Sequence, residues 1–83
     1  DYEVLERIGH GEEYLKRVLG GNVRLRLHGQ IARLEVDQSA FPSLLEMREQ
    51  VVRRLKMLGV TYVTLDMEGF RSGSMDVGIE ENR

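Results

Sequence analysis

The sequence predicts an α+β fold: a two-layer sandwich in which two helices cover one face of a three-stranded sheet, with the element order αββαβ. Three observations support this prediction. Apolar and charged side chains alternate through residues 23–37 on either side of a His-Gly-Gln break, as in a β-hairpin. Amphipathic stretches at residues 2–19 and 39–58 have helical spacing. Residues 60–66 are β-branched and aromatic, which is typical of a strand.

The first amphipathic stretch predicts a helix over residues 2–19. Its apolar residues, among them Ile8 and Leu15, fall on one helical face. Gly9 and Gly11 each cost about 1 kcal/mol relative to alanine inside a helix, so we expect them to split it into a leading turn and a main segment. The Gly-Gly pair that follows ends the helix.

The hairpin is the part of the sequence on which the predicted fold depends. Gly29 and Gln30 are the expected central residues of a type II′ turn, in which glycine takes the positive φ. This turn puts the apolar side chains of both strands on one face and the charged ones on the other. The predicted register pairs Leu27 with Ala32, Leu25 with Leu34, Val23 with Val36, Arg24 with Glu35, and Arg26 with Arg33.

The second helix and the third strand complete the sandwich. Ser39 is predicted to cap this helix, Pro42 to lie in its first turn and Gly59 to end it. We expect the third strand to lie beside the first and antiparallel to it, in the order 2-1-3, because a parallel strand beside the second would displace another element. The uncovered face then carries Arg24, Arg26, Arg33, Glu35, Tyr62 and Thr64.

Length and composition limit the class of protein. Residues 1–83 are expected to form one small domain, in which residues 67–83 are a loop and a flexible tail. The lack of cysteine excludes disulfides, thiolate metal ligands and a cysteine nucleophile from this chain. A net charge of −2 disfavours a domain that binds polyanions through its whole surface.

The same sequence gives expectations about location. No apolar run approaches the roughly 20 residues of a membrane span, and no signal-peptide pattern opens the chain. We therefore expect a cytoplasmic protein without membrane contact. The sequence begins with Asp1 and not with methionine, so we expect it to be a fragment of a longer chain.

Three sets of residues are candidates for ligand binding. Arg24 and Arg26 suit a phosphate or carboxylate, or else form a solvated strand face in which the Arg24–Glu35 pair contributes about 0.2–1 kcal/mol. Four acidic residues offer oxygen ligands for a hard cation, or else are solvated acids: Glu12, Glu13, Glu35 and Asp37. A glycine-flanked loop with exposed amides, hydroxyls and a guanidinium group is a candidate anion-binding loop; it consists of Arg71, Ser72, Gly73 and Ser74.

No motif of a self-contained active site is present. The sequence has no P-loop, dinucleotide fingerprint, His/Cys metal spacing or nucleophile elbow. The residues by themselves therefore predict a binding or assembly module. A noncatalytic oligomerisation module and an RNA-binding module are alternatives, and the lack of a stacking aromatic pair on the strands counts against RNA.

Two long motifs resemble a known family. The hairpin VRLRLHGQIARLEV, residues 23–36, resembles V-R-V-R-x-H-G-x-x-A-R-I-E-V in the C-terminal domain of LarE-type ATP-dependent sacrificial sulfur transferases, of the PP-loop ATP pyrophosphatase superfamily. Residues 58–75, LGVTYVTLDMEGFRSGSM, are similar to that domain's G-F-x-Y-V-T-L-D-L-x-G-Y-R-S-G-S ending. The second motif covers residues 71–73, to which the resemblance gives no role beyond shaping the terminal loop. The resemblance is weakest in residues 1–22.

The resemblance implies a function for the complete enzyme. Such an enzyme adenylylates a carboxylate of a pyridinium dicarboxylate mononucleotide and then installs sulfur. ATP and Mg²⁺ are implied for the full-length enzyme and no cofactor for this chain, because the family's S-G-G-x-D-S loop belongs to an N-terminal PP-loop domain that these residues do not include. This chain alone is thus not expected to catalyse. The implied partners are the N-terminal domain, the substrate and further copies in a homo-oligomer.

The resemblance also implies roles for individual residues. Arg24 and Arg26 match the family's arginines that contact the substrate phosphate. Glu35 matches an acidic residue near which metal binding is implied, and Glu12 matches an upstream acidic position.

Overall fold

The central hairpin forms in the predicted register. A computed structural model describes residues 2–72, in which strands β1 (Val23–His28) and β2 (Ile31–Val36) pair antiparallel. Gly29 has a φ of +61° and Gln30 a negative φ, as expected for the predicted turn. The apolar side chains of both strands therefore share one face.

The third strand lies beside β2 and not beside β1. Strand β3 (Tyr62–Leu65) runs parallel to β2, which gives the order β1-β2-β3. The predicted order 2-1-3 is therefore wrong. Because β1 covers only one edge of β2, the other edge is free for the strand that returns after a crossover. The edge of β1 is partly occupied as well, since the Leu25 amide donates to Glu12 Oε2 at 2.8 Å.

The first helix, α1 (Tyr2–Leu19), is continuous, so the predicted break at Gly9 and Gly11 is wrong. Gly11 is buried where α1 crosses β1, and a Cβ atom there would lie 2.6 Å from Leu25 Cδ2. A larger residue at this position would force the Leu25 side chain to shift. The packing that glycine permits offsets the low helix propensity of the residue.

The predicted second helix forms as three shorter segments, a 3₁₀ turn (Gln38–Ala40), α2 (Phe41–Glu46) and α3 (Arg48–Lys56). Met47 separates α2 from α3 with φ −101° and ψ 17°, outside the helical region. Pro42 lies in the first turn of α2, as predicted. Ser39 lies within the 3₁₀ turn and does not cap the helix, so that prediction is wrong.

The helices pack on one face of the sheet, which confirms the predicted α+β class. One cluster of buried side chains joins the helices to the hairpin and to Val60, two residues before β3. It contains Leu15, Val23, Leu25, Ala32, Leu34, Val36, Leu44, Val51, Leu55 and Val60. Within residues 2–72, no helix is both long and apolar enough to cross a membrane.

Residues 66–72 follow β3 as a loop that packs back against the end of β2. The Phe70 amide donates to the Val36 carbonyl oxygen at 2.8 Å. Gly69 is buried at this contact, and a Cβ atom there would lie 3.1 Å from the same carbonyl oxygen. The close approach holds the loop beside the uncovered face of the sheet. Residues 73–83 of the predicted tail lie outside the described residues.

Candidate functional site

Three arginines project from the uncovered face of the hairpin, where the sequence predicts them. Arg24 and Arg26 alternate along β1, and Arg33 lies opposite Arg26 on β2. Their side chains are 34%, 46% and 31% exposed, respectively. The three side chains are therefore only partly exposed, and the Nε atom of Arg33 is buried.

Glu35 is the buried centre of this surface. Its side chain is 5% exposed, and its carboxylate lies 3.8 Å from Arg24, 3.6 Å from Arg26 and 3.3 Å from Arg33. A carboxylate this buried needs charged partners, which the three guanidinium groups supply. All three distances exceed the roughly 2.7–2.9 Å of a tight charge-assisted hydrogen bond. The guanidinium groups therefore keep N–H donors for a further acceptor.

Asp66 extends the network toward the loop. Its Oδ2 atom accepts a hydrogen bond from Arg33 at 2.9 Å and lies 3.5 Å from Arg71 Nη2. Its Oδ1 atom accepts a hydrogen bond from the Glu68 amide at 2.9 Å. This amide and the charges of Arg71 and Arg33 hold the pKa of Asp66 below its usual value of 3.8, although burial opposes the shift. Asp66 is thus ionised at neutral pH.

Phe70 contacts one of the hairpin arginines. The Arg24 Cζ atom lies 5.0 Å from the centroid of the Phe70 ring, within the range of a cation–π interaction. The ring is anchored because the Phe70 amide is bonded to Val36. A cation–π contact leaves the N–H donors of the guanidinium group available for an acceptor.

The two acidic residues proposed as a metal site face different parts of the molecule. Glu12 lies on α1 and accepts the hydrogen bond from Leu25, whereas Glu35 is paired with arginines on the open face. Residues 2–72 contain no group of three or more His, Cys, Asp or Glu side chains that could hold a metal ion. A metal role for Glu12 and Glu35 stays a prediction. The hydrogen bond from Leu25 shows that Glu12 helps to join α1 to β1.

Arg71 belongs to the same surface as the hairpin arginines. Besides its contact with Asp66, its Nη1 atom donates to Glu68 Oε1 at 2.6 Å. Ser72 is exposed, and the other two residues of the predicted anion-binding loop, Gly73 and Ser74, lie outside the described residues. The structure therefore joins one member of that loop to the site predicted on the hairpin.

Sequence reasoning missed Asp66 and Phe70 as members of the site. The signal for Asp66 was available: it follows β3 directly, and the parallel pairing of Leu65 with Leu34 puts the next residue beside Glu35. The wrong strand order concealed this neighbour. Phe70 had no such signal, because the path of an irregular loop is set by tertiary contacts.

The arrangement can recognise an anion. Four arginines face three carboxylates, so the described surface has an excess of positive charge; its members are Arg24, Arg26, Arg33, Arg71, Glu35, Asp66 and Glu68. The Arg33 Nε atom is buried without a hydrogen-bond partner. Guanidinium groups match the geometry of phosphate and carboxylate oxygens.

The fold and this surface define a small α+β domain with an arginine-rich, uncovered sheet face. Over 75 residues, 90% of its length, the chain is 37% identical to pyridinium-3,5-bisthiocarboxylic acid mononucleotide synthase of Lactiplantibacillus plantarum, which is LarE. The matched part is 27% of that protein and lies in its C-terminal region. The resemblance predicted from the two motifs is thus confirmed.

A second relative has no described activity. Over 76 residues, 89% of its length, the chain is 33% identical to an uncharacterized protein of Synechocystis, of which it covers 28%. The chain therefore spans about a quarter of the length of each relative. No protein-family model matches the chain.

Proposed function

We propose that this chain is the phosphate-binding domain of a LarE-like sulfur transferase, in which Arg24 and Arg26 hold the phosphate of a pyridinium carboxylate mononucleotide. The proposal rests above all on the position of the two guanidinium groups, which are 34% and 46% exposed and lie 3.8 Å and 3.6 Å from Glu35. The L. plantarum relative is by its name a mononucleotide synthase, and a mononucleotide carries a phosphate.

A phosphate is a better acceptor for these arginines than the carboxylate beneath them. Glu35 is nearly buried and lies 3.8 Å from Arg24 Nη1 and 3.6 Å from Arg26 Nε, so the other N–H groups of both arginines are left for a further acceptor. Phosphate oxygens approaching from solvent reach those donors at shorter distances. A hydrogen bond to a charged group contributes about 1.5–3 kcal/mol. Glu35 then acts as the fixed counter-charge of the arginines.

The remaining chemistry belongs, in this proposal, to other parts of the enzyme. An N-terminal PP-loop domain binds ATP and Mg²⁺ and activates the substrate carboxylate, while this chain supplies no catalytic residue. A homo-oligomeric assembly and a cytoplasmic location are part of the same proposal. The charge and position of the arginines support only the phosphate-binding step.

The proposal is tested by titrating the chain with ribose 5-phosphate and following the heat of binding. In the double variant Arg24→Gln/Arg26→Gln, the loss of two charge-assisted contacts is expected to weaken binding at least tenfold, since about 1.4 kcal/mol corresponds to a factor of ten. The matched control is Arg48→Gln/Arg53→Gln, which removes the same charge from the exposed side of α3.

Comparing phosphate binding in the two variants distinguishes a specific phosphate site from a general effect of net charge. Equal weakening in both would mean that only net charge matters, and unchanged binding in the first would refute the phosphate site. Sedimentation of the same proteins tests the alternative of an oligomerisation module. That module is favoured if the hairpin variant loses self-association while phosphate binding is absent throughout.

A further inference from the structure

A separate cavity lies between helices α1 and α3, on the side of the sheet opposite the hairpin arginines. Its volume is about 190 Å³. Cavities for drug-sized ligands measure about 300–1,000 Å³, so this one suits a smaller molecule. Its lining combines basic and apolar side chains, namely Arg7, His10, Arg54, Leu55, Met57 and Leu58.

The basic side chains of this cavity are not neutralised by acids. Within residues 2–72, no carboxylate forms an ion pair with Arg7, His10 or Arg54. Glu3 and Glu6 are close to Arg7 in sequence, but neither of them lines the cavity. The hairpin arginines, in contrast, all lie close to a buried carboxylate. The cavity therefore has an excess of positive charge that a bound anion would neutralise.

Both arginines of the cavity make contacts that leave N–H donors available. Arg7 Nη1 donates to the Leu58 carbonyl oxygen at 2.8 Å. The Arg54 Cζ atom lies 4.7 Å from the centroid of the Tyr14 ring, within the range of a cation–π interaction. A guanidinium group carries several N–H donors, so each arginine keeps some of them for the oxygen atoms of a ligand. Because these contacts already restrict the two side chains, less conformational entropy is lost when a ligand binds.

We propose that this cavity binds a small organic carboxylate. The guanidinium groups and the ring of His10 offer N–H donors to the carboxylate oxygens. The side chains of Leu55 and Leu58 offer an apolar surface to the hydrocarbon part of the ligand. Inorganic phosphate suits the cavity less, because the oxygens that face the apolar side would lose their hydrogen bonds to water without gaining a partner.

Three probes test the charge and the apolar part of the ligand separately. Benzoate joins a carboxylate to an apolar ring, benzamide has the same shape without the charge, and inorganic phosphate has the charge without the ring. In an NMR titration, benzoate is expected to shift the backbone amide signals of Gly11, Leu55 and Leu58 until they saturate. Benzamide and phosphate should bind there at least about threefold more weakly, since even an exposed ion pair contributes a factor of this size. No saturable shift at these amides would refute the site, and equal binding of benzamide or phosphate would overturn the proposed ligand class.

A pair of neighbouring variants tests the position of the site. Arg54→Gln removes an exposed charge from the cavity and keeps the hydrogen bond from Arg7 to Leu58, so the fold is expected to be retained. Its affinity for benzoate should fall about three- to fivefold. Arg53→Gln is the matched control, because it removes the same charge from a residue of α3 that does not line this cavity, and it should leave the affinity unchanged. Equal weakening in both variants would mean that only net charge matters and would overturn the inference. The result does not depend on the proposed phosphate site, which lies on the other face of the sheet.

Discussion

The two faces of one three-stranded sheet differ completely in what they hold. On the helix-covered face, Leu25 is 3% exposed and Leu34 is 2% exposed, and their neighbours are apolar. On the other face, the residues next to them in sequence are Arg24, Arg26 and Arg33, with side chains 31–46% exposed. A shift of one residue along a strand thus changes a core position into a solvent-facing charge.

The open face nevertheless differs from an ordinary solvated strand face, because its charged side chains contact buried and aromatic groups. Glu35 lies on it and is only 4% exposed, and the ring of Phe70, from the loop after β3, lies 5.0 Å from the Arg24 Cζ atom. A solvated strand face needs neither a buried carboxylate nor an aromatic support. The comparison teaches that the covered face gives the domain its stability, whereas the open face holds charged groups in a fixed arrangement.

The largest expected effect is on the covered face. Leu34→Ala removes a side chain that is 2% exposed in the middle of the central strand. The lost burial and the resulting cavity should lower the free energy of unfolding by about 2–5 kcal/mol, measured by urea denaturation. Leu45→Ala is the control, because Leu45 is 58% exposed and should change stability by less than about 0.5 kcal/mol. Similar losses in both variants would contradict the assignment of the core.

An intermediate effect is expected from Glu35→Gln on the open face. The substitution leaves three guanidinium groups without their central counter-charge, so the free energy of unfolding should fall by about 1–3 kcal/mol. Sulfate should then restore stability more in this variant than in the unmodified chain, because an anion replaces the missing carboxylate. Thermal melting with and without sodium sulfate measures both quantities. An equal response to sulfate in the two proteins would contradict the expectation that an anion replaces the missing carboxylate.

The smallest effect is expected from Asp66 and depends on pH. Its pKa in the folded chain is below the usual value of 3.8, chiefly because of the hydrogen bond from the Glu68 amide. Its ionised form therefore stabilises the fold above that value, and the contribution is lost as the pH falls through the lower folded pKa. Urea denaturation from pH 5 to pH 2 should show a weaker loss of stability in Asp66→Asn.

Asp37 provides an internal reference for that measurement. Hydrogen bonds from the backbone and side-chain amides of Asn22 also lower the pKa of Asp37, and this group is present in both proteins. Some loss of stability in acid should therefore remain in Asp66→Asn. Identical pH profiles of the two proteins would mean that the Asp66 network does not contribute to folding.

The hairpin could be predicted in full because its faces and its register depend only on residues that are close together in the sequence. Alternation assigned each side chain to a face, and Gly29 fixed the turn and with it the register. The same local reasoning failed for residues whose role depends on a contact with a distant part of the chain. Gly11 was expected to break α1 on propensity, but in the structure it is the residue that lets the helix approach Leu25.

The sequence by itself determined which residues pair across the hairpin and that Arg24, Arg26 and Arg33 stand on one face with Glu35, because a period of two divides any strand into two sides. Only the tertiary structure decided that β3 joins β2 and brings Asp66 to within 2.9 Å of Arg33. A side-chain pattern specifies the face of a strand but not the edge that its backbone will use, since the backbone hydrogen-bonding groups are the same on both edges.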